Sequence, residues 1–367
     1  MKEPIVTIFV TVYNIEEYLD RFFACLKEQT VQNYEVLLID DGSDDGSLAV
    51  CRKYACEDNR IKILTTEHIG ISAVRNMLLP QIKTPFATSL DGDDFFDKDY
   101  LKHLLDAQEK YNADLVISNV IYLYDNGKEF KRFSPRAEEC FCKDEFANVV
   151  PALLLEDRLN YLYGKLYRTE YLNDIRVEDD VRQGSDTMIN IQYVTKISSI
   201  AVIEDYDYSH IFFRTRSVTS YSQDNKFWRL VRIHYFIYDT AKDNGLLNDA
   251  MIDAVDQRVL LSGWLCCSNI NRSRDSEKNK IERIRKITNS EEYLSAFRRQ
   301  KERGNTDKLE LVIVPGAEED YIRLVNLVRK ENKRNERIRR LRKLCPDFAF
   351  RFYHNTKIKL GLLPHEK

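Results

Sequence analysis

Apolar and polar positions recur with two different periods along this chain. In the first 125 residues, short runs of β-branched and aromatic residues alternate with stretches where apolar side chains return every three or four positions. The runs Ile5–Val12, Tyr34–Ile39, Ile61–Leu64, Pro85–Leu90 and Leu115–Tyr124 predict strands. Leu19, Phe22, Phe23 and Leu26 place a helix over 17–29, and similar spacing predicts helices over 47–56, 72–79 and 99–111. Strands this continuously apolar, alternating with helices, argue for an α/β fold with a mainly parallel central sheet covered on both faces. Ligands of such sheets bind beyond the carboxyl ends of the strands. Asn126-Gly127, between two further strand-like runs, predicts a two-residue hairpin turn. Residues 145–200 mix both signals. Beyond about residue 221 the pattern is helical, over 226–242, 246–269, 277–303 and 317–344. The expected organisation is an α/β domain over 1–220 and a helical, basic domain over 221–367.

Charge sharpens that division. The net charge is −3, but residues 1–220 hold 25 Lys and Arg against 38 Asp and Glu, whereas 221–367 hold 31 against 21. Modules of opposite sign suggest different partners. The eight cysteines show no paired metal-ligand spacing, and no leading apolar segment marks export. They are expected to be reduced thiols in a cytoplasmic protein. No apolar run approaches the roughly 20 residues that span a bilayer.

Chemistry concentrates at the predicted strand ends. Asp91-Gly92-Asp93-Asp94 follows the Pro85–Leu90 run. Carboxylates this dense repel one another unless a cation or ligand sits between them. Hard divalent ions such as Mg²⁺ or Mn²⁺ take oxygen ligands and commonly share them with substrate phosphates. An acidic turn capping the next helix is the plainer reading of the same residues. Thr11-Val12-Tyr13-Asn14 and Asp40-Asp41-Gly42-Ser43 end the first two strands and are expected on the same edge. By themselves Tyr13 reads as a core aromatic, Asp41 as an Asx turn or N-cap, and Arg75 as a helix-surface ion pair.

In order and spacing these segments resemble the family 2 glycosyltransferases. The set comprises Thr11 to Asn14, Asp40 to Ser43, Arg75-Asn76, Asp91 to Asp94, and Asp186 within Gly184-Ser185-Asp186. The resemblance covers roughly residues 4–220. It implies the GT-A nucleotide-diphospho-sugar transferase fold and an inverting, metal-dependent transfer of one sugar. The donor is expected to be a UDP-sugar, and the acceptor a glycan or lipid-linked hydroxyl in cell-surface polysaccharide synthesis. It further implies that Thr11, Tyr13 and Asp41 bind the base and that Arg75 approaches the nucleotide. Arg214, with His210 nearby, would reach the diphosphate. Asp93 would ligate Mn²⁺ or Mg²⁺, with Asp91 close to both metal and ribose, and Asp186 would be the general base. Tyr163-Gly164-Lys165-Leu166-Tyr167-Arg168 resembles the segment lining the acceptor side. Two positions depart from the pattern: Ser185 stands where Glu is usual, and Thr11 where many members have proline. A sugar nucleotidyltransferase would need a Gly-rich basic loop after the first strand, and Asn14-Ile15-Glu16-Glu17-Tyr18 is acidic and lacks glycine. A silent binding or scaffold subunit would have lost one of Asp91, Asp93 or Asp186, and all three are present.

Residues 323–343 carry ten Lys or Arg against two Glu, interleaved with Leu and Val. With the apolar segments up to 363, this stretch suits an anionic membrane surface and a peripheral location. A solvated helix packed on its own domain or on a second subunit accounts for it equally. No nucleic-acid motif accompanies the charge.

Overall fold

The computed structural model describes residues 3–124, 129–131, 138–204, 208–212, 225–305, 312–319 and 321–322. The first 124 residues form β1 (Val6–Val12), α1 (Glu16–Lys27), β2 (Tyr34–Asp40), α2 (Ser47–Glu57), β3 (Ile61–Thr65) and α3 (Ile71–Leu78). Next come β4 (Phe86–Ser89), β5 (Phe95–Phe96), α4 (Tyr100–Tyr111), β6 (Leu115–Ile117) and β7 (Val120–Tyr124). Then follow β8 (Glu129–Lys131), β9 (Glu139–Cys142), α5 (Phe146–Leu155), β10 (Lys165–Arg168), α6 (Ser185–Lys196), β11 (Ser199–Val202) and β12 (Tyr208–Phe212). The helical part holds α7 (Lys226–Asp243), α8 (Asp249–Arg272), α9 (Glu277–Thr288) and α10 (Glu291–Glu302).

The main sheet runs β3-β2-β1-β4-β10-β6-β11-β9, and a smaller one runs β5-β12-β7-β8. β1 pairs parallel with β2 and β4, β2 with β3, and β6 with β11. β10 enters antiparallel between β4 and β6. Val6, Ile8, Val10 and Val12 of β1 lie in one core cluster with Leu19, Phe22, Phe23 and Leu26 of α1. Burying each such side chain contributes roughly 1.5–3 kcal/mol, so the helix spacing that predicted α1 also fixes which face it presents.

Two expected elements divide. Residues 115–124 form two strands in different sheets, not one. At the break, Ser118 N–H donates to the Gly164 carbonyl at 2.9 Å. Asn119 Nδ2 donates to the carbonyls of Ile203 and Glu204 at 3.2 and 3.0 Å. These bonds replace a ladder. Residues 277–303 form two helices, because Ser290 caps the second, its Oγ accepting from Tyr293 N–H at 3.3 Å. β7 and β8 pair antiparallel, while the Asn126-Gly127 turn between them lies outside the described residues. So do Arg214, Arg216 and the basic stretch 323–363.

The described residues group into two compact units. The first holds those up to 212 together with Phe236–Met251, and the second holds 225–235 and those from 252 onward. The second has its own core, which includes Phe227, Leu260, Cys267, Ile284 and Tyr293. The seven described cysteines are free thiols. No described helix is long and apolar enough to cross a membrane.

Candidate active site

Because β2, β1 and β4 are adjacent and parallel, the segments that follow them leave the sheet at one edge. Tyr13, Asp41 and Asp91 are therefore neighbours by topology, although 78 positions separate the first and last. Thr11 and Tyr13 share one face of the β1 end, since side chains alternate along a strand. The Tyr13 ring is 38% exposed and stacks on His68, with centroids 4.2 Å apart and planes inclined by 22°. His68 is a residue that pattern reading missed. It adopts a positive φ of 56° in a loop whose shape no local signal reveals.

Asp41 shapes that loop. Its Oδ1 accepts from Thr66 Oγ1 at 2.7 Å and from Ile69 N–H at 2.8 Å, and its Oδ2 accepts from Gly70 N–H at 2.9 Å. Gly70, at φ 94°, takes a conformation that side-chain-bearing residues rarely adopt and leads directly into α3. The carboxylate expected to read a base thus anchors the start of α3.

The acidic turn after β4 brings carboxylate oxygens of Asp91, Asp93 and Asp94 within 4.8 Å of one another. An all-carboxylate donor set of this kind fits Mg²⁺ or Mn²⁺. Asp94 is fully buried, and its Oδ2 accepts from Tyr208 Oη at 2.7 Å. The same hydroxyl accepts from Asp91 N–H at 3.1 Å. Burial, reinforced by the charges of Asp94 and Asp91, pushes the Tyr208 phenol well above its ordinary value, so it stays a donor. On the other side, Arg21 Nη2 donates to the Asp93 carbonyl at 2.8 Å and its guanidinium lies 3.3 Å from the Phe95 ring centre. Tyr208 and Arg21 hold the turn from two elements. Neither was singled out from the sequence.

Asp186 lies in the first turn of α6, after Gly184 at φ 88°. A carboxylate there is favoured by the helix dipole. Arg75, on α3, is 7% exposed. Its Nη1 donates to Ser185 Oγ at 2.6 Å and pairs with Asp186 Oδ1. Among the described residues, Asp186 Oδ2 has no hydrogen-bond partner. Asn76, next to Arg75, donates to Asp179 Oδ1 at 2.7 Å and to the Val177 carbonyl at 2.6 Å. The loop before α6 is thus laced to α3, and Asp179 is tied up in that lacing. The Arg75 guanidinium, expected beside a nucleotide, pairs with the candidate base. Ser185, in place of an acidic residue, leaves Asp186 as the one carboxylate of that pair.

Residues 7–176 match the family model for Glycosyl transferase family 2. The chain is similar to a putative glycosyltransferase, EpsH, of Bacillus subtilis (strain 168). The two are 30% identical over 183 residues, which is 50% of this chain and 52% of that protein. It is 28% identical over 191 residues to the glycosyltransferase GlyA of Streptococcus pneumoniae serotype 4, covering 50% of this chain and 27% of that one. The chain therefore spans about half or less of the length of these relatives. A third relative is the poly(ribitol-phosphate) beta-N-acetylglucosaminyltransferase TarS of Staphylococcus aureus, 24% identical over 236 residues, 62% of this chain and 39% of TarS. The crystal structure of S. aureus TarS 1–349 in complex with UDP-GlcNAc superposes with a TM-score of 0.60 at 17% identity, covering 82% of this chain and 92% of that one. At that identity the likeness is one of fold.

Proposed function

We propose, from the premise that residues 7–176 of this chain belong to glycosyl transferase family 2 and carry its GT-A fold, that the protein transfers one sugar with inversion. The donor in this reading is a nucleotide-diphosphate sugar, of which a UDP-sugar is first choice. The acceptor is a hydroxyl of a glycan or lipid-linked glycan bound for the cell surface. The observation that carries the reading is the double tether of α3. Asp41 pins its start at the strand edge, and Arg75, one turn on, grips Asp186. One helix, α3, is therefore bonded both to the strand edge and to the candidate base.

Asp186 Oδ2 would take the proton of the acceptor hydroxyl as its oxygen bonds to the anomeric carbon. The bond from that carbon to the diphosphate breaks, and its electron pair departs with the nucleoside diphosphate. Arg75 holds Oδ1, so the carboxylate keeps one orientation through the transfer. Tyr13 and His68 would offer a ring face to the base, with Thr11 beside them and Arg214 toward the diphosphate. Mn²⁺ or Mg²⁺ held by Asp93 and Asp91 would neutralise the leaving diphosphate. The helical residues beyond 221 would serve the acceptor, a second copy, or attachment to an anionic membrane surface through 323–363.

A thermal-shift and nucleotide-release panel of UDP-, GDP- and dTDP-sugars, with Mn²⁺ and with chelator, tests the reading. Metal-dependent stabilisation by one donor with slow nucleotide release supports it. An intact fold that responds to no nucleotide sugar would sink it in favour of a binding subunit.

A further inference from the structure

Lys165 opens β10 and is 2% exposed. Alternation along the strand puts Lys165 and Tyr167 on one face, with Leu166 and Arg168 on the other. Tyr167 Oη donates to Asn190 Oδ1 of α6 at 2.8 Å, so α6 covers the face that Lys165 shares. Asp186 precedes Asn190 by four positions, one turn earlier on the same stripe of that helix. Lys165 Nζ donates to the carbonyls of Tyr161 and Tyr163 at 2.6 and 3.3 Å. Asn190 Nδ2 donates to the same Tyr161 carbonyl at 2.9 Å. Lys165 and α6 therefore hold one loop together.

Those carbonyls supply hydrogen bonds but no net charge, and an ammonium taken out of water needs an opposite charge. The charge of Asp186 favours the ammonium, and that of the buried Arg158 on the preceding loop opposes it. Burial pushes the amine down to about 7, with Asp186 acting in the other direction. Arg75 bonds Asp186 Oδ1 directly, whereas Lys165 bonds the loop carbonyls.

We propose that Lys165 is a positioning residue for Asp186. Its amine, fixed by two loop carbonyls on the face of β10 under α6, brings a second positive charge toward the carboxylate when protonated and ties the 161–163 loop to α6 through the Tyr161 carbonyl that Asn190 shares. The inference rests on the reading of Asp186 as general base.

Two measurements on the full chain test it. The first is ¹³C NMR of ε-labelled lysines across pH, comparing the parent protein with Asp186→Asn. The Lys165 signal should titrate lower in Asp186→Asn, by on the order of half a pH unit or more. An unchanged midpoint overturns the proposal without any substitution at Lys165. The second is nucleotide release from UDP-GlcNAc with Mn²⁺ by Lys165→Gln and Lys165→Met. Gln keeps a donor for the Tyr161 carbonyl but no charge, so it decides the matter if Met fails to fold. Both should lower kcat on the order of tenfold to a hundredfold while donor KM stays within about twofold. Full kcat in Lys165→Gln reduces Lys165 to a loop fastener and overturns the proposal. Parent-level release by Asp186→Asn, with the Lys165 midpoint still shifted, would instead remove the general-base reading and leave the charge coupling standing.

Discussion

Arg75 Nη1 reaches both Ser185 Oγ and Asp186 Oδ1, joining α3 to the first turn of α6 across 111 positions of sequence. The pair is lopsided, the guanidinium 8% exposed and the carboxylate 24%. Such a cation is fixed by burial, whereas its partner keeps one edge toward solvent. That asymmetry suits the proton acceptor proposed above, with one oxygen held by Arg75.

Replacing Arg75 with Met should therefore act on the chemical step. We expect kcat for nucleotide release to fall on the order of a hundredfold with donor KM little changed. Thermal stability should drop by roughly 2 kcal/mol, the cost of a half-broken buried pair discounted for the exposure of Asp186. A rise in donor KM at constant kcat would return Arg75 to the nucleotide, as the family resemblance implies. Lys should rescue poorly, because a single ammonium does not reproduce the planar fork.

Tyr208→Phe removes the hydroxyl shared by Asp94 Oδ2 and Asp91 N–H. Loss of one donor to a buried carboxylate costs about 1–3 kcal/mol. Calorimetric titration with Mn²⁺ should show affinity reduced roughly tenfold, as when an outer hydrogen-bond partner of a metal ligand is lost. Unchanged Mn²⁺ binding would mean that the turn keeps its shape without Tyr208.

Asp93→Asn should abolish the Mn²⁺-dependent part of donor stabilisation while leaving the unfolding midpoint without ligands within about 2 °C. Chelator added to the parent protein should reproduce the effect. Donor-induced stabilisation that survives both treatments would show that the diphosphate is held without metal.

Stability should also fall in mild acid through His234. This imidazole is buried on α7, with Nε2 2.9 Å from Ser262 Oγ, and burial aided by Arg258 holds its pKa well below 6.5. The folded form stays neutral while the unfolded chain takes up a proton below about 6.5, so stability present above that pH is lost as pH falls. The limiting slope is about 1.4 kcal/mol per pH unit. Thermal unfolding between pH 7.5 and 5 should show that slope in the parent protein and a flatter one in His234→Gln. Equal slopes would assign the acid sensitivity to other groups.

The strands that build the candidate edge were legible because they are buried on both faces. Val6–Val12 and Tyr34–Asp40 are nearly unbroken apolar runs, a pattern that half-buried strands and surface helices do not produce. The two breaks were hidden for an equally local reason. Ser118-Asn119 is a two-residue polar gap between apolar runs, and Asn289-Ser290 breaks a helix without proline or glycine. Both breaks are stabilised by partners that a window of neighbours does not contain.

The sequence by itself determined the alternation of elements, the clustering of acidic residues at strand ends and the match of residues 7–176 to one family model. Tertiary structure alone decided how those side chains divide the work. It set Asp41 to shaping the approach to α3, Arg75 to gripping Asp186, Tyr208 to holding Asp94, and Lys165 to standing under α6. Periodicity is a property of neighbours along the chain. Charge pairing and hydrogen bonding are properties of neighbours in space, and those exist only once the strand order has brought distant residues to one edge.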